Sequence, residues 1–388
     1  MLHKMPLWLL LIILAALGLE PFMPLMLKAT LFALSLTLKS GIIFLLPFII
    51  FALLFKTAAQ LAKGTSAIIG LILISVVVSN FISTMLSYSV GSVIYMSSQF
   101  SLTLPNSALS LVPAWTLSVP TLLANDHAMF LGLGLGLILA YLQPKLAHKL
   151  TTSFDRYARL ALQGIILVMP VFIAGFVVKM CHEGVLQNII KDYALIFAVI
   201  TLSAFSYICL LYGLANNLRF SRFLGALKNM LPAAIAGFGT MSSAAAMPLT
   251  LNGTEKNSAN PLLARSIIPA TVNIHLIGDC FAIPIFAFAI LKSFGLPNPD
   301  LSTYLVFAGY FVFAKFSVAA VPGGGILVML PILEKHLGFK PEMLSLITAL
   351  YILFDPVITS ANVMGNGAFA LLISKHFAKP NPKSENKL

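Results

Sequence analysis

Ser242-Ser243-Ala244-Ala245-Ala246-Met247-Pro248 and Val321-Pro322-Gly323-Gly324-Gly325 interrupt stretches of the chain that are otherwise apolar. Each interruption is followed by a segment with polar residues at its middle. The first is followed by Asn273-Ile274-His275-Leu276-Ile277-Gly278-Asp279, the second by Asp355 to Asn366, reading DPVITSANVMGN. Lipid offers nothing to a free backbone N–H or C=O, so a broken helix persists in a membrane only where protein or a water-filled cavity satisfies those groups. Paired breaks in corresponding places therefore point to a binding site near the membrane midplane.

The rest of the chain supports a membrane setting. Of its 388 residues 59% are hydrophobic and only 9% charged, and the mean hydropathy is +0.97, far from the composition of a soluble domain. A helix needs about 20 apolar residues to cross. Such stretches recur from Pro6 to Lys375 and leave no room for a separate soluble domain. The expected fold class is an all-α polytopic membrane protein in the cell (inner) membrane. The net charge of +12 does not imply nucleic acid, because the basic residues stand singly or in twos at the ends of apolar stretches, as the positive-inside rule requires. No Lys or Arg occurs from Gly64 to Pro144, which puts the loop from about Ser97 to Asn125 outside. Lys145, Lys149, Arg156 and Arg159 mark a return, Arg219, Arg222 and Lys228 a second inner loop, and Lys375 to Lys387 an inner tail. Both termini are then cytoplasmic. Met1 to Leu19 has the form of a signal peptide but runs straight into further apolar sequence, so it reads as an uncleaved first helix. Cys181, Cys209 and Cys280 are scattered and match no metal or disulfide spacing.

Helices are expected at 6–20 (extending toward 33), 36–62, 65–95, 126–144, 157–180 and 190–216. A hairpin at 222–258 and a helix at 263–291 follow, then a hairpin at 301–337 and a helix at 341–375. The last third repeats itself: hairpin, then a helix carrying Asn, Gly and Asp or Asn, as Asn273, Gly278, Asp279 and as Asn362, Gly365, Asn366. An odd number of crossings separates the hairpins, so they would enter from opposite faces as an inverted repeat.

These residues resemble the dicarboxylate/amino acid:cation symporter family, to which the glutamate transporters belong. The likeness is collinear over nearly the whole chain. It rests on the serine-rich tip ending in Met247-Pro248-Leu249-Thr250, the Val321 to Gly325 tip, and Asp355 with Asn362. The resemblance implies eight transmembrane helices plus two re-entrant helical hairpins, a homotrimer, and an elevator-type movement of a transport core against a scaffold. Residues 1–218 would form the six N-terminal helices, mostly scaffold, with the third and sixth joining the core, and residues 219–388 the transport core. The resemblance puts the substrate carboxylate at Ser242 and Ser243 and a gate at the backbone of Val321, Pro322, Gly323 and Gly324 through Gly325. It puts the substrate amino group at Asp355, and its backbone at Asn362. Free N–H groups and helix dipoles at such tips favour an anion, and Asp355 offers the opposite charge.

Two departures bear on the substrate and the coupling ion. Family members with acidic substrates carry an arginine where this chain has Ile358, so no bidentate clamp for a second carboxylate is expected. A neutral amino acid, its side chain near Ile358 and Thr359, is favoured over glutamate or aspartate. The family's Asn-Met-Asp-Gly-Thr motif reads Asn273-Ile274-His275, and a second cation-binding aspartate is Asn366. Hard cations want carboxylates, so binding of sodium, the candidate ion, is weakened. Asn273, His275, Asp279, Asn362 and Asn366 form the expected coupling-ion set. His275 and Asp279 would share a face if their segment is helical. Histidine titrates near neutrality, which makes a proton relay through this pair the preferred coupling; a packed, neutral histidine at a helix break is the alternative.

Gly132, Gly134 and Gly136 lack the context of a nucleotide fingerprint and suit helix packing. Lys56, Lys179, Lys292 and Lys315 read as snorkelling residues, with Lys315 also a potential carboxylate partner. Pro47 and Pro170 read as kinks. An enzyme is not expected: an intramembrane aspartyl protease using Asp279 and Asp355 lacks the Gly-x-Gly-Asp context and leaves the hairpins unexplained. A sodium-coupled dicarboxylate or glutamate symporter is the nearest competing function, and a transport-inactive channel or sensor is a competitor of a different class.

Overall fold

The computed structural model describes residues 18–63, 67–96, 110–117, 119–120, 122–318 and 323–376, with Leu11, Leu14 and Ala15. Among them there is helix and connecting turn but no strand. The first half comprises α1 (Leu25–Lys63), α2 (Ala67–Met96), α3 (Asn125–Leu142), α4 (Pro144–His182) and α5 (Val185–Ala215). α1 packs along α3 and α4. Glycines allow the close approach to α3: a Cβ at Gly132 would stand 2.7 Å from the Phe51 carbonyl oxygen, and one at Gly136 2.6 Å from that of Phe55. The outward faces carry large exposed apolar side chains such as Phe48, Ile74, Phe130, Leu167 and Leu202. An apolar surface this extensive suits lipid rather than water.

Leu25–Lys56, Gly70–Ile94, Ala194–Ala215 and Pro341–His376 are long and apolar enough to cross a membrane. The bent pair Pro144–Ile165 and Pro170–His182 counts as a fifth if taken as one span, its 40° bend falling at Pro170, which cannot donate to the helix ladder. The break expected between residues 33 and 36 is absent. α1 runs through it because Leu34 and Leu36 are good helix formers, and Ser35 and Thr37 direct their hydroxyls to the Val171 and Ala33 carbonyls at 3.2 and 3.0 Å. Most of the first expected helix, 6–20, lies outside the described residues.

The second half opens with a helix pair, α6 (Phe220–Thr240) and α7 (Ser243–Asn257). The turn between them needs Met241 in the left-handed region, φ 50°, and Ser242 caps α7 by accepting from the Ala245 N–H at 3.3 Å. α8 (Pro261–Thr271) and α9 (Ile277–Ser293) follow. The continuous helix expected over 263–291 is thus two helices, parted at Val272–Leu276. The cause is a side chain from α2: Asn80 donates to the Ile274 carbonyl at 2.7 Å and accepts from the Leu276 N–H at 3.2 Å, satisfying backbone groups the break releases.

A second helix pair consists of α10 (Leu301–Ala314), a 3-10 turn at Lys315–Ser317, and α11 (Gly324–Leu337). Asp300 caps α10 through the Thr303 N–H at 2.8 Å. Gly323, at φ 72°, sets the entry to α11, a conformation that glycine adopts without strain. Val321 and Pro322 lie outside the described residues. The chain ends in α12 (Pro341–His376), which packs on α5, α6, α7 and α9. α9 is buried along nearly its whole length, so the core of the second half lies between α9 and α12.

Two lysines expected to snorkel are ion-paired instead. Lys56 meets Asp155 at 2.7 Å, and Lys179 meets Glu183 and Glu342 at 3.6 and 3.7 Å. Each lies on a helix face that packs against protein, where a charge needs a partner.

Candidate functional site

The start of α7, the break before α9, the entry to α11 and the middle of α12 converge on one cavity with about 330 Å3 of free space, part of it open to solvent. Ser242, Ser243, Asn273, Asp279, Tyr351, Asp355, Thr359 and Asn362 line it, with Met241, Val272, Leu276, Val318 and Gly325. Ser242, Ser243, Asn273, Asp279, Asp355, Thr359 and Asn362, singled out in the sequence on both repeats, therefore share one space.

Asp355 stands on α12 and is 3% exposed. One carboxylate oxygen accepts from the Gly323 N–H at 2.9 Å, the other from the Thr359 hydroxyl at 2.9 Å. No Lys, Arg or His among the described residues forms an ion pair with it. Across the cavity α7 begins, and its first-turn N–H groups and helix dipole favour an anion. A molecule carrying an ammonium and a carboxylate finds complementary charge at the two walls.

Asn362 ties the repeats together. Its oxygen accepts from the Gly278 N–H at 2.8 Å and the Asp279 N–H at 3.4 Å, at the start of α9. Its amide nitrogen donates to Asp279 at 2.6 Å. The approach requires Gly278, where a Cβ would lie 2.3 Å from the Ile358 carbonyl oxygen. Asp279, 1% exposed, also accepts from the Tyr351 hydroxyl at 2.7 Å. Lys315 is wholly buried with its ammonium 3.4 Å from the same carboxylate. Lys315 thus has the carboxylate partner the sequence allowed for, while Tyr351 and Asn80 extend the sequence-derived set. A tyrosine hydroxyl in an apolar helix and the Ser79-Asn80 doublet in α2 are visible signals, since each polar group there needs a partner.

Other expected residues lie elsewhere. His275 falls in the break, not on a helix with Asp279, so the shared face is not formed. Its Nε2 is 2.9 Å from the Ser79 hydroxyl, its ring packs 4.3 Å from that of Phe369, and Nδ1 has no hydrogen-bond partner among the described residues. Asn366 accepts from the Thr271 hydroxyl at 2.6 Å, away from the cavity lining. Ile358 is buried and lines a separate apolar cavity of about 250 Å3, with Phe197, Ile200, Phe205 and Phe354, while Thr359 lines the polar one. No group of three His, Cys, Asp or Glu side chains placed to hold a metal occurs among the described residues.

The chain is similar to known transporters. The serine/threonine transporter SstT of Acinetobacter baumannii is 22% identical over 346 residues, covering 84% of this chain and 85% of the relative. In another strain of that organism the identity is 23% over the same length. Excitatory amino acid transporter 1 of Mus musculus is 26% identical over 218 residues, 55% of this chain and 39% of that protein. A family model described as the sodium:dicarboxylate symporter family matches residues 5–376. That match spans both repeats and the cavity between them, and it makes the chain a member of the sodium:dicarboxylate symporter family, a family of membrane transporters rather than enzymes.

Proposed function

We propose that this chain is a secondary symporter for a small neutral amino acid. The observation that carries the reading is the pairing, in one cavity, of the α7 N-terminus with a buried Asp355 that has no cationic side chain among the described residues against it. A buried carboxylate is costly unless a positive group meets it, and a substrate ammonium is such a group. Ser242 and Ser243 with the first turn of α7 would hold the substrate carboxylate, Asn362 its backbone, and the Val321 to Gly324 segment would close over it. No Lys or Arg lines the polar cavity among the described residues, which argues against a second substrate carboxylate, and the serine/threonine transporter relative points the same way.

In this reading the chain crosses the inner membrane eight times, with two re-entrant hairpins and both termini in the cytoplasm. Residues 219–388, together with the third and sixth membrane helices, move as an elevator against the remainder of 1–218 in a homotrimer. Coupling is to protons or to sodium, with Asn273, His275, Asp279, Asn362 and Asn366 as the candidate residues.

Uptake by reconstituted proteoliposomes of labelled neutral and acidic amino acids, under a sodium gradient and separately a proton gradient, tests the proposal. Concentrative uptake of a neutral amino acid supports it; uptake confined to aspartate or glutamate contradicts it. The same assay on His275→Gln tests the coupling residue. Loss of the proton-gradient dependence assigns the relay to His275, and dependence unchanged from wild type removes it.

A further inference from the structure

Lys315, which pairs with the cavity-lining Asp279, takes no part in the proposed binding of substrate. It stands in the 3-10 turn that ends α10, fully buried, 3.4 Å from Asp279 Oδ1 and 4.3 Å from the centre of the Phe311 ring. Its ammonium makes no hydrogen bond among the described residues. The carboxylate it faces is held from every side. Tyr351 and Asn362 donate to it from α12, and Gly325 of α11 lies so close that a Cβ there would stand 2.3 Å from Oδ1. Both arms of the second helix pair thus meet α9 and α12 at this carboxylate. An ammonium on a flexible stem is a compact point charge, comparable in charge to a monovalent ion.

We propose that Lys315 is a tethered cation: its ammonium holds, at Asp279, the position that an exchangeable monovalent cation would otherwise need, so no free coupling cation binds at that carboxylate. The proposal deepens the transport reading and rests on it for its functional meaning. Asp279 is then neutralised by the chain itself, and Asp355 is left to the substrate ammonium. Any free coupling cation binds away from Asp279, which narrows the candidate coupling residues to Asn273, His275, Asn362 and Asn366.

The test is thermal melting of the purified full chain in detergent, at constant ionic strength, in sodium, potassium, methylammonium or N-methylglucamine chloride. Wild type is expected to show no shift that Asp279→Asn removes. Lys315→Ala should melt lower and recover by roughly 5 °C or more in methylammonium or sodium but not in N-methylglucamine. The double variant Lys315→Ala with Asp279→Asn should show no such recovery. A Lys315→Ala protein with no cation-specific recovery overturns the proposal, as does a wild-type sodium shift that vanishes in Asp279→Asn. Should Lys315→Ala not fold, Lys315→Met with Asp279→Asn decides. The pair predicts that this charge-free variant melts above Asp279→Asn alone; equal or lower melting overturns it. Failure of wild type to take up any amino acid would overturn the transport reading instead, and the melting result would stand separately.

Discussion

Asp279 and Asp355 line one cavity, each almost wholly buried, on two helices that pack against each other, yet they face different company. Asp279 has a tyrosine hydroxyl, an asparagine amide and a lysine ammonium from its own chain. Asp355 has one backbone N–H and one threonine hydroxyl. Burial asks both carboxylates for compensation. The first receives it from the fold, which makes it a structural post between the repeats. The second is hydrogen-bonded but not charge-compensated within the described residues, and in the proposed function the substrate ammonium supplies that charge.

Removing each carboxylate should separate the two roles. Asp355→Asn keeps the shape and most hydrogen bonds but loses the charge. It should weaken amino acid binding by about 2–5 kcal/mol, roughly thirtyfold to several thousandfold, with melting little changed; calorimetric titration measures this. Asp279→Asn leaves Lys315 buried without its counter-charge and should cost about 3–5 kcal/mol of stability, read as a large fall in melting temperature. If Asp279→Asn mainly removed binding and Asp355→Asn mainly removed stability, the assignment of roles would be reversed.

Smaller substitutions sharpen the contrast. Gly325→Ala would drive a methyl against Asp279 Oδ1 and the Tyr351 hydroxyl, at 2.3 and 2.4 Å. It should cost about 1–3 kcal/mol, visible in melting. Thr359→Val removes a hydrogen bond to Asp355 while conserving volume. A hydrogen bond to a charged group contributes about 1.5–3 kcal/mol, so binding should fall by about tenfold or more, with melting affected less than in Gly325→Ala.

Much of this arrangement was legible in the sequence, for local reasons. The helix pairs at 220–257 and 301–337 announce themselves through Met241-Ser242, whose serine caps α7, and through Gly323, where the backbone needs a positive φ. Asp355, Thr359 and Asn362 lie three or four residues apart, one helical turn, and all reach the cavity. What stayed hidden depends on distant partners. The break at Val272–Leu276 lies among Ile274, Leu276 and Ile277, which by themselves favour no turn; it exists because Asn80, nearly two hundred residues earlier, satisfies the freed backbone. The separation of His275 from Asp279 follows from that break. Ile358 sits one residue from Thr359, so about 100° of helix rotation carries it to the apolar cavity beside α5 rather than the polar one.

The most direct test of the central claim, that Asp355 anchors the ammonium of an amino acid, is calorimetric titration of the purified wild type and Asp355→Asn with L-serine and with succinate, which has carboxylates but no amino group. The account predicts that serine binds to wild type, that Asp355→Asn weakens that binding by roughly thirtyfold or more, and that succinate binds to neither. Succinate binding to wild type with unchanged affinity in Asp355→Asn, and no serine binding, would contradict it.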